Sequence, residues 1–491
     1  MIPIPLLIAL LLAFGIESPS SPPDDVRGTI AGAVGAALGV AAVSFALGLW
    51  TAFRVRRRGF ATVRVRRSFV AGSRLLSLAT VAAFGWMIHF GGWPGLVLGT
   101  WGWRGSILVD DALLIAPFLA MQLLSWWGTF YGERAIHGLP PSHVGYRVGR
   151  HLYLRERQSL ALVLPIVTIF VIRNDLLGRL WPSWQQNPYA ETAELAVLGV
   201  LVLAVSPAFI RLAWPTRSLP DGPLRRRLEA VARRSGFRFA DVLVWDTDHT
   251  MINACVTGIL PRFRYVLLSD ALIDALTPLE IAAVFGHEIG HVAHRHLQYF
   301  LFFFVGCLAV LTMGSEVFAG LEAWIATLTT ADPAAPSAFR DVIEGLVVLV
   351  AVGLAFGTVF GHLSRRFERQ ADVYGCKVVS CGSADCPHHF DFDEFPESGD
   401  TPIRNVCPTG VRIFADALAS VAHQNGIDAE ARSWRHGSIA SRIAFLQKLA
   451  VAPEREAAFQ RQVRNVRYGL AAGLAASVGL AGAAHWFGVL R

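Results

Sequence analysis

Charged side chains are scarce in this 491-residue chain, at 16% of the whole, where a typical soluble domain carries about 25%. With 53% hydrophobic residues and a mean hydropathy of +0.45, that shortage excludes a large soluble helical core. Lysine is nearly absent, occurring only at Lys377 and Lys448. The positive charge is therefore almost all arginine, a hint of a GC-rich genome that says little about function. The first 16 residues lack a basic stretch, which argues against a cleaved secretory signal. Their apolar run, 2–16, is short for a membrane span, and an uncleaved N-terminal segment is expected. No inverted repeat is visible, which removes the main sign of a transporter.

What the chain has instead is long apolar runs, at 30–52, 69–91, 108–131, 158–172, 195–212, 297–314, 343–361 and 468–488. Several approach the ~20 residues needed to cross a bilayer, so the expected class is a mainly α, multi-pass membrane protein. Seven arginines between Arg54 and Arg67 separate the first two long runs, and the positive-inside rule puts that loop in the cytoplasm. Counting forward, 132–157, 213–296 and 362–466 fall inside. The expected location is an inner, bacterial-type membrane. Isolated charges within the apolar runs (Arg74, Asp110, Asp111, Glu344) lie mostly near segment ends, where snorkelling accounts for them. Six cysteines, at 255, 307, 376, 381, 386 and 407, lie in or near regions read as inside, against structural disulfides. The irregular spacing of Cys381, Cys386 and Cys407, with His388 and His389 nearby, argues against a second, structural zinc.

Two motifs carry chemistry. His287-Glu288-Ile289-Gly290-His291 is an HExxH box, introduced by Thr277-Pro278 as a helix start and Leu279 to Phe285 as its front. Residues four apart on an α-helix differ by about 40° around the axis, so His287 and His291 can share one Zn²⁺. Glu288 points off that direction and suits a general base. Two imidazoles leave such an ion short of ligands, and Glu368-Arg369-Gln370-Ala371-Asp372 offers a carboxylate. The charge-derived topology brings both motifs to one side of the membrane.

Together with Asn253-Ala254, Gly258, the apolar run Tyr265 to Ser269, Ser364-Arg365-Arg366 before Glu368, and His436-Gly437-Ser438-Ile439 followed by Arg442-Ile443, these residues resemble the integral-membrane zinc peptidases that include the CAAX prenyl proteases and HtpX-like heat-shock proteases. The resemblance covers roughly 225–450. It departs at Gly437, where that family usually has proline. It implies that His287, His291 and Glu368 bind zinc and that Glu288 is the base. Asp372, one helix turn beyond Glu368, would orient a ligand histidine. His436 and Arg442 would stabilise the oxyanion, and Asn253 and Ala254 would pair with extended substrate backbone on a strand edge.

The implied fold is a polytopic membrane protein with a small α/β gluzincin-type zinc-peptidase core. A basic amphipathic helix at 223–231 and short strands at 242–245 and 264–268 fit such a core. The expected organisation is an N-terminal membrane region at 1–212, a first half of the core at 213–296 and a two-span hairpin at 297–361. A second half at 362–466, with a Cys/His/acidic insertion at 381–409, and a last span at 467–491 complete it. The expected activity is that of a metalloendopeptidase acting on membrane-associated or misfolded polypeptides, with CAAX-type cleavage or a non-catalytic scaffold as alternatives. Polypeptide and the lipid bilayer are the expected partners, and nothing calls for nucleic acid. A site-2-type intramembrane protease would take its third ligand from a different, Asp-bearing motif.

Overall fold

The computed structural model describes residues 4–14, 21–106, 108–138, 147–170, 206–247, 251–304, 353–381, 406–452 and 454–486, with a few single positions between. The expected spans at 195–212, 297–314 and 343–361 are described only in part, and most of the insertion at 381–409 lies outside these residues. In chain order the elements used below are α1 (Ile4–Phe14), α2 (Val26–Arg58), α3 (Val63–His89), α4 (Val109–His137), α5 (Val148–Phe170), β1 (Thr216–Ser218), α6 (Pro223–Arg234), β2 (Asp241–Trp245), β3 (Ala254–Thr257), β4 (Tyr265–Ser269), α7 (Pro278–Ala293), α8 (Gly361–Val378), α9 (Pro408–Gln424), α10 (Ile439–Val451) and α11 (Glu454–Trp486). They fall into two compact units. One comprises 1–219, 239–253 and 257–271, and the other comprises 220–238, 254–256 and 272–491.

In the first unit, α2, α3 and α4 are each long and apolar enough to cross a membrane. Leu38, Val43, Leu49, Leu75 and Leu78 stand exposed on α2 and α3, an outward apolar surface that suits lipid rather than water. Gly59, at a φ of 74°, ends α2, and Thr62 caps α3 by accepting from the Val65 amide. The arginines around this turn include Arg54 and Arg57, which stack on Trp50 and Phe53 at 4.7 and 4.9 Å. Helices α2 and α4 meet through small residues. A β-carbon on Gly48 would collide with the Gly128 carbonyl, and one on Gly128 would collide with Ser44, the close approach that membrane helices use in place of a hydrophobic driving force. The 11-residue α1 is too short to span about 30 Å of hydrocarbon. It buries Leu6, Ala9 and Leu10 with Leu76, Phe84 and Phe118.

The same unit carries a small mixed sheet. β1 pairs antiparallel to β2, with Arg217 opposite Val244, and β2 pairs parallel to β4, with Val242 opposite Val266. The fully buried runs Val242 to Trp245 and Val266 to Leu268 are what a strand covered on both faces requires. Gly258 follows β3 at a φ of 100°, and a β-carbon there would strike the Phe263 carbonyl, so only glycine fits this turn.

The second unit is built around α7 and α8. A capping box starts α7: Thr277 Oγ accepts from the Glu280 amide at 3.3 Å, and the Glu280 carboxylate accepts from the Thr277 amide at 2.7 Å. The two helices cross where side chains are smallest. A β-carbon on Gly290 would lie 3.0 Å from the Ala371 Cα and 2.9 Å from the Tyr374 Cβ, and one on Gly375 would lie 2.7 Å from the Ala283 carbonyl. Gly286 and Gly290 are one turn apart, as are Ala371 and Gly375, so each helix offers a flat stripe to the other. Gly290→Leu forces these helices apart and is expected to destabilise this unit by roughly 1–3 kcal/mol. Thermal unfolding of the detergent-solubilised protein checks this, and an unchanged melting temperature would contradict the packing described.

Candidate metal centre and active site

The close crossing of α7 and α8 sets His287 and His291 opposite Glu368. The two imidazole Nε2 atoms are 3.2 Å apart. Glu368 Oε2 lies 3.8 Å from Nε2 of His287, and its Oε1 lies 3.9 Å from Nε2 of His291. A tetrahedral ion with bonds of about 2.0–2.1 Å separates its donor atoms by about 3.4 Å. The two nitrogens and the carboxylate therefore suit one small divalent cation without large movement. Among the described residues this is the one group of three His, Cys, Asp or Glu donors that converges in this way.

Each ligand histidine is held from behind. Nδ1 of His287 lies 3.0 Å from Asp372 Oδ1, a close contact that falls short of well-aligned hydrogen-bond geometry. Asp372 is wholly buried. Arg442 grips it with two donors, Nε to Oδ2 at 2.8 Å and Nη2 to Oδ1. The remaining nitrogen of Arg442, Nη1, is 3.5 Å from Glu368 Oε2. Arg442 thus braces two carboxylates. Burial by itself would raise both acids, but Arg442 holds Asp372 below the usual carboxylate range, and His436 and Arg442 hold Glu368 well below it.

Behind His291 stands a chain of neutral groups that the sequence reading missed. His291 Nδ1 is 2.9 Å from His296 Nδ1, and His296 Nε2 is 3.1 Å from Gln370 Oε1. Arg467 donates to the same Oε1 at 2.5 Å, and Gln370 Nε2 donates to Gln460. Arginine can only donate, so the Gln370 atom facing it is oxygen. His296 must therefore donate from Nε2 and accept at Nδ1. His291 must then carry its proton on Nδ1, leaving its Nε2 lone pair toward the cleft. His296 is buried against Phe367, with ring centroids 4.2 Å apart and planes within 5°, and its burial keeps it neutral well below the ordinary histidine range. Helical periodicity cannot find this residue. α7 ends at Ala293, and Arg295 turns the chain at a φ of 56° to bring the His296 ring back over His291.

Glu288 lies beside the ligands and accepts a hydrogen bond from the Val256 amide of β3. Burial chiefly, opposed by His287 and aided by Glu368, raises it to about 7, where a carboxyl can exchange a proton near neutrality. His436 is half-exposed, with Nδ1 2.9 Å from Glu368 Oε1. The glycine that follows it has a structural cause. Gly437 sits at a φ of 74°, and its amide donates to the Ser433 carbonyl at 2.9 Å. Proline could supply neither that φ nor the N–H. Asn253 is held by Ser269 through its main chain. Its amide donates to Ser269 Oγ and its carbonyl accepts from the Ser269 amide, both at 3.0 Å, so neither main-chain group is left for a substrate. Ala254 begins β3, whose Val256 touches Glu288. Cys407 caps α9, its sulfur accepting from the Gly410 amide at 3.3 Å. Cys386, His388 and His389 lie outside the described residues.

Residues 218–391 match the family model of peptidase family M48. CAAX prenyl protease 1 of Saccharomyces cerevisiae is 26% identical over 201 residues, which are 38% of this chain and 44% of that protein. An HtpX homolog of Aeropyrum pernix is 29% identical over 189 residues, 38% of this chain and 57% of that protein. The chain thus spans about half the length of these relatives. The crystal structure of S. mikatae Ste24p aligns with 86% of this chain and 99% of that one, at 17% identity and a TM-score of 0.35. The M48 match ends before His436, Arg442 and Arg467.

His296→Phe keeps the stack on Phe367 but removes the acceptor for His291. It is expected to weaken divalent-metal binding roughly 10–100-fold, measured by competition with a chelating dye. Unchanged affinity would show that His296 does not set the ligand's proton.

Proposed function

We propose that this chain is a membrane-embedded zinc metalloendopeptidase that cleaves membrane-associated or misfolded polypeptides. The observation that carries this reading is the convergence of two Nε2 atoms and one carboxylate, each fixed from behind, beside a carboxyl poised near neutrality. His287, His291 and Glu368 are the ligands, and their donor set suits Zn²⁺. The ion, when bound, acidifies a water and polarises the scissile carbonyl.

The protein's own groups account for the rest of the reaction. Glu288 accepts the proton of the attacking water at a carboxylate oxygen. It later returns that proton to the departing amine nitrogen, so that one residue serves as base and then as acid. Asp372 and His296 keep the ligand imidazoles in the tautomer that turns Nε2 to the cleft. His436, half-exposed and able to swing, is the residue placed to donate to the oxygen of the tetrahedral adduct. The strand Ala254–Thr257 lies beside Glu288 and is the edge along which an extended peptide would run. The arginine-rich stretch between Arg54 and Arg67 supports a cytoplasmic-facing site. The name of the yeast relative supports a second reading, cleavage of prenylated peptides.

The test uses the full chain in detergent. Zinc per chain is measured, and cleavage of casein and of a farnesylated CAAX peptide is compared for the wild type and Glu288→Gln. One zinc per chain is expected, with cleavage reduced by about 10²–10⁴-fold in the variant. Equal rates in both would sink the assigned base, and the preferred substrate separates the two readings. Glu368→Ala is expected to lose the zinc, and retention would remove Glu368 from the ligand set. The acid limb of kcat/KM should reflect Glu288, whose carboxylate is the active form. Activity falls as pH drops through its pKa, with a midpoint at or below 7, because a nearby cation favours the charged form. A limb above pH 7, or one that persists in Glu288→Gln, would contradict this.

A further inference from the structure

Away from the metal centre, the second unit holds a cleft of about 410 Å³ between the first turns of α8, the C-terminal half of α10 and the start of α11. Its polar lining is His362, Arg365, Arg366, Arg369, Arg455 and Gln462, with no carboxylate among the described residues. The arginines are positioned by neutral acceptors and a ring. Arg365 donates to the Trp434 carbonyl at 2.6 Å, and Arg366 donates to His362 Nε2 at 2.8 Å and to Gln462 Oε1 at 3.3 Å. The Arg369 guanidinium lies 5.2 Å over Phe445. Elsewhere in the unit Arg442 pairs with Asp372 and Lys377 with Glu456. Four guanidinium groups surround one concavity and repel one another, and none is in an ion pair with a described residue.

The cleft's place in the chain narrows the ligand. His362 follows directly on the apolar run 343–361, and exposed Leu354 and Val359 carry that run to the head of α8. At 1.5 Å per residue, Arg365, Arg366 and Arg369 lie within about 12 Å of its end. Helix α11 passes from Arg455 and Gln462 into the apolar run 468–488, with Tyr468 exposed at the junction. Aromatic and arginine side chains at such a junction mark the headgroup layer, where basic pockets between helices bind anionic lipids.

We infer that this cleft binds a phosphate group, that of an anionic phospholipid headgroup, with the guanidinium fork of Arg366 and the exposed Arg455 on opposite walls as its main donors. A bound lipid phosphate would fix the start of α8, which carries Glu368 two residues beyond Arg366. The site stands independently of the peptidase reading, since none of these arginines is a ligand or a base.

The test titrates the full, delipidated chain in detergent micelles with phosphatidylglycerol, phosphatidylcholine and inorganic phosphate in separate arms. The wild type is expected to bind phosphatidylglycerol at least about tenfold more tightly than phosphatidylcholine. Each arginine removed should weaken binding roughly fivefold, so Arg366→Gln with Arg455→Gln should lose most of the preference. Arg226→Gln with Arg227→Gln, an equal change of charge on α6, should leave it intact. Arg455→Gln alone, on an exposed first turn, keeps the test valid should the double variant fold poorly. Inorganic phosphate bound alone, with the same sensitivity to Arg366 and Arg455, upholds the phosphate site but assigns it to a free ligand. The inference is overturned by equal affinity for the two lipids with no phosphate binding, or by cleft variants that bind as the wild type does.

Discussion

Everything at the metal centre depends on how closely α7 approaches α8. The ligands are long side chains on two helices, and their donor atoms come within 3.9 Å of one another only because the backbones between them nearly touch. Gly286, Gly290, Ala371 and Gly375 allow that approach. Small residues give up packing area, and the large rings Phe367 and Phe414 beside them restore it. Phe414 stacks on His287 at 5.8 Å and Phe367 on His296 at 4.2 Å. The same rings that fill the gaps therefore also set the planes of the imidazoles. Packing and site geometry are one set of contacts.

The site was legible in the sequence where its geometry is helical and local. The four-residue spacing of His287 and His291, and of Glu368 and Asp372, is a consequence of 3.6 residues per turn and survives folding. The strands at 242–245 and 265–269 were visible as short, fully apolar runs. Contacts made where helices end were not visible. His296 lies past the last turn of α7, and Gln370 lies off the face that Glu368 and Asp372 share. Arg467 is 97 residues from Gln370 in the chain. The contacts of Arg442 were hidden for a related reason. Sequence placed it near the metal, but only the fold shows that its donors are taken up by Asp372 and Glu368. Gly437 is the opposite case, a departure from the resembled pattern that becomes a requirement once its positive φ is seen.

The two ligand histidines are backed differently, by a carboxylate behind His287 and by a neutral imidazole behind His291. The cause is charge. Ionised Glu288, Glu368 and Asp372 contribute three negative charges within a half-buried cleft, and Arg442 returns one. The balance is two negative charges, which a divalent cation cancels. A second carboxylate behind His291 would leave an excess that burial penalises. The neutral relay through His296 and Gln370 fixes the proton of His291 without adding to it. Burial chiefly, aided by Glu368, pushes Glu288 up to about 7, so that near neutrality part of its population holds a proton. A cation entering the cleft would displace that proton and leave Glu288 as the carboxylate that base catalysis needs. The ion and the proton are thus coupled through one charge balance, and the residue that yields the proton is the one that stands next to His287.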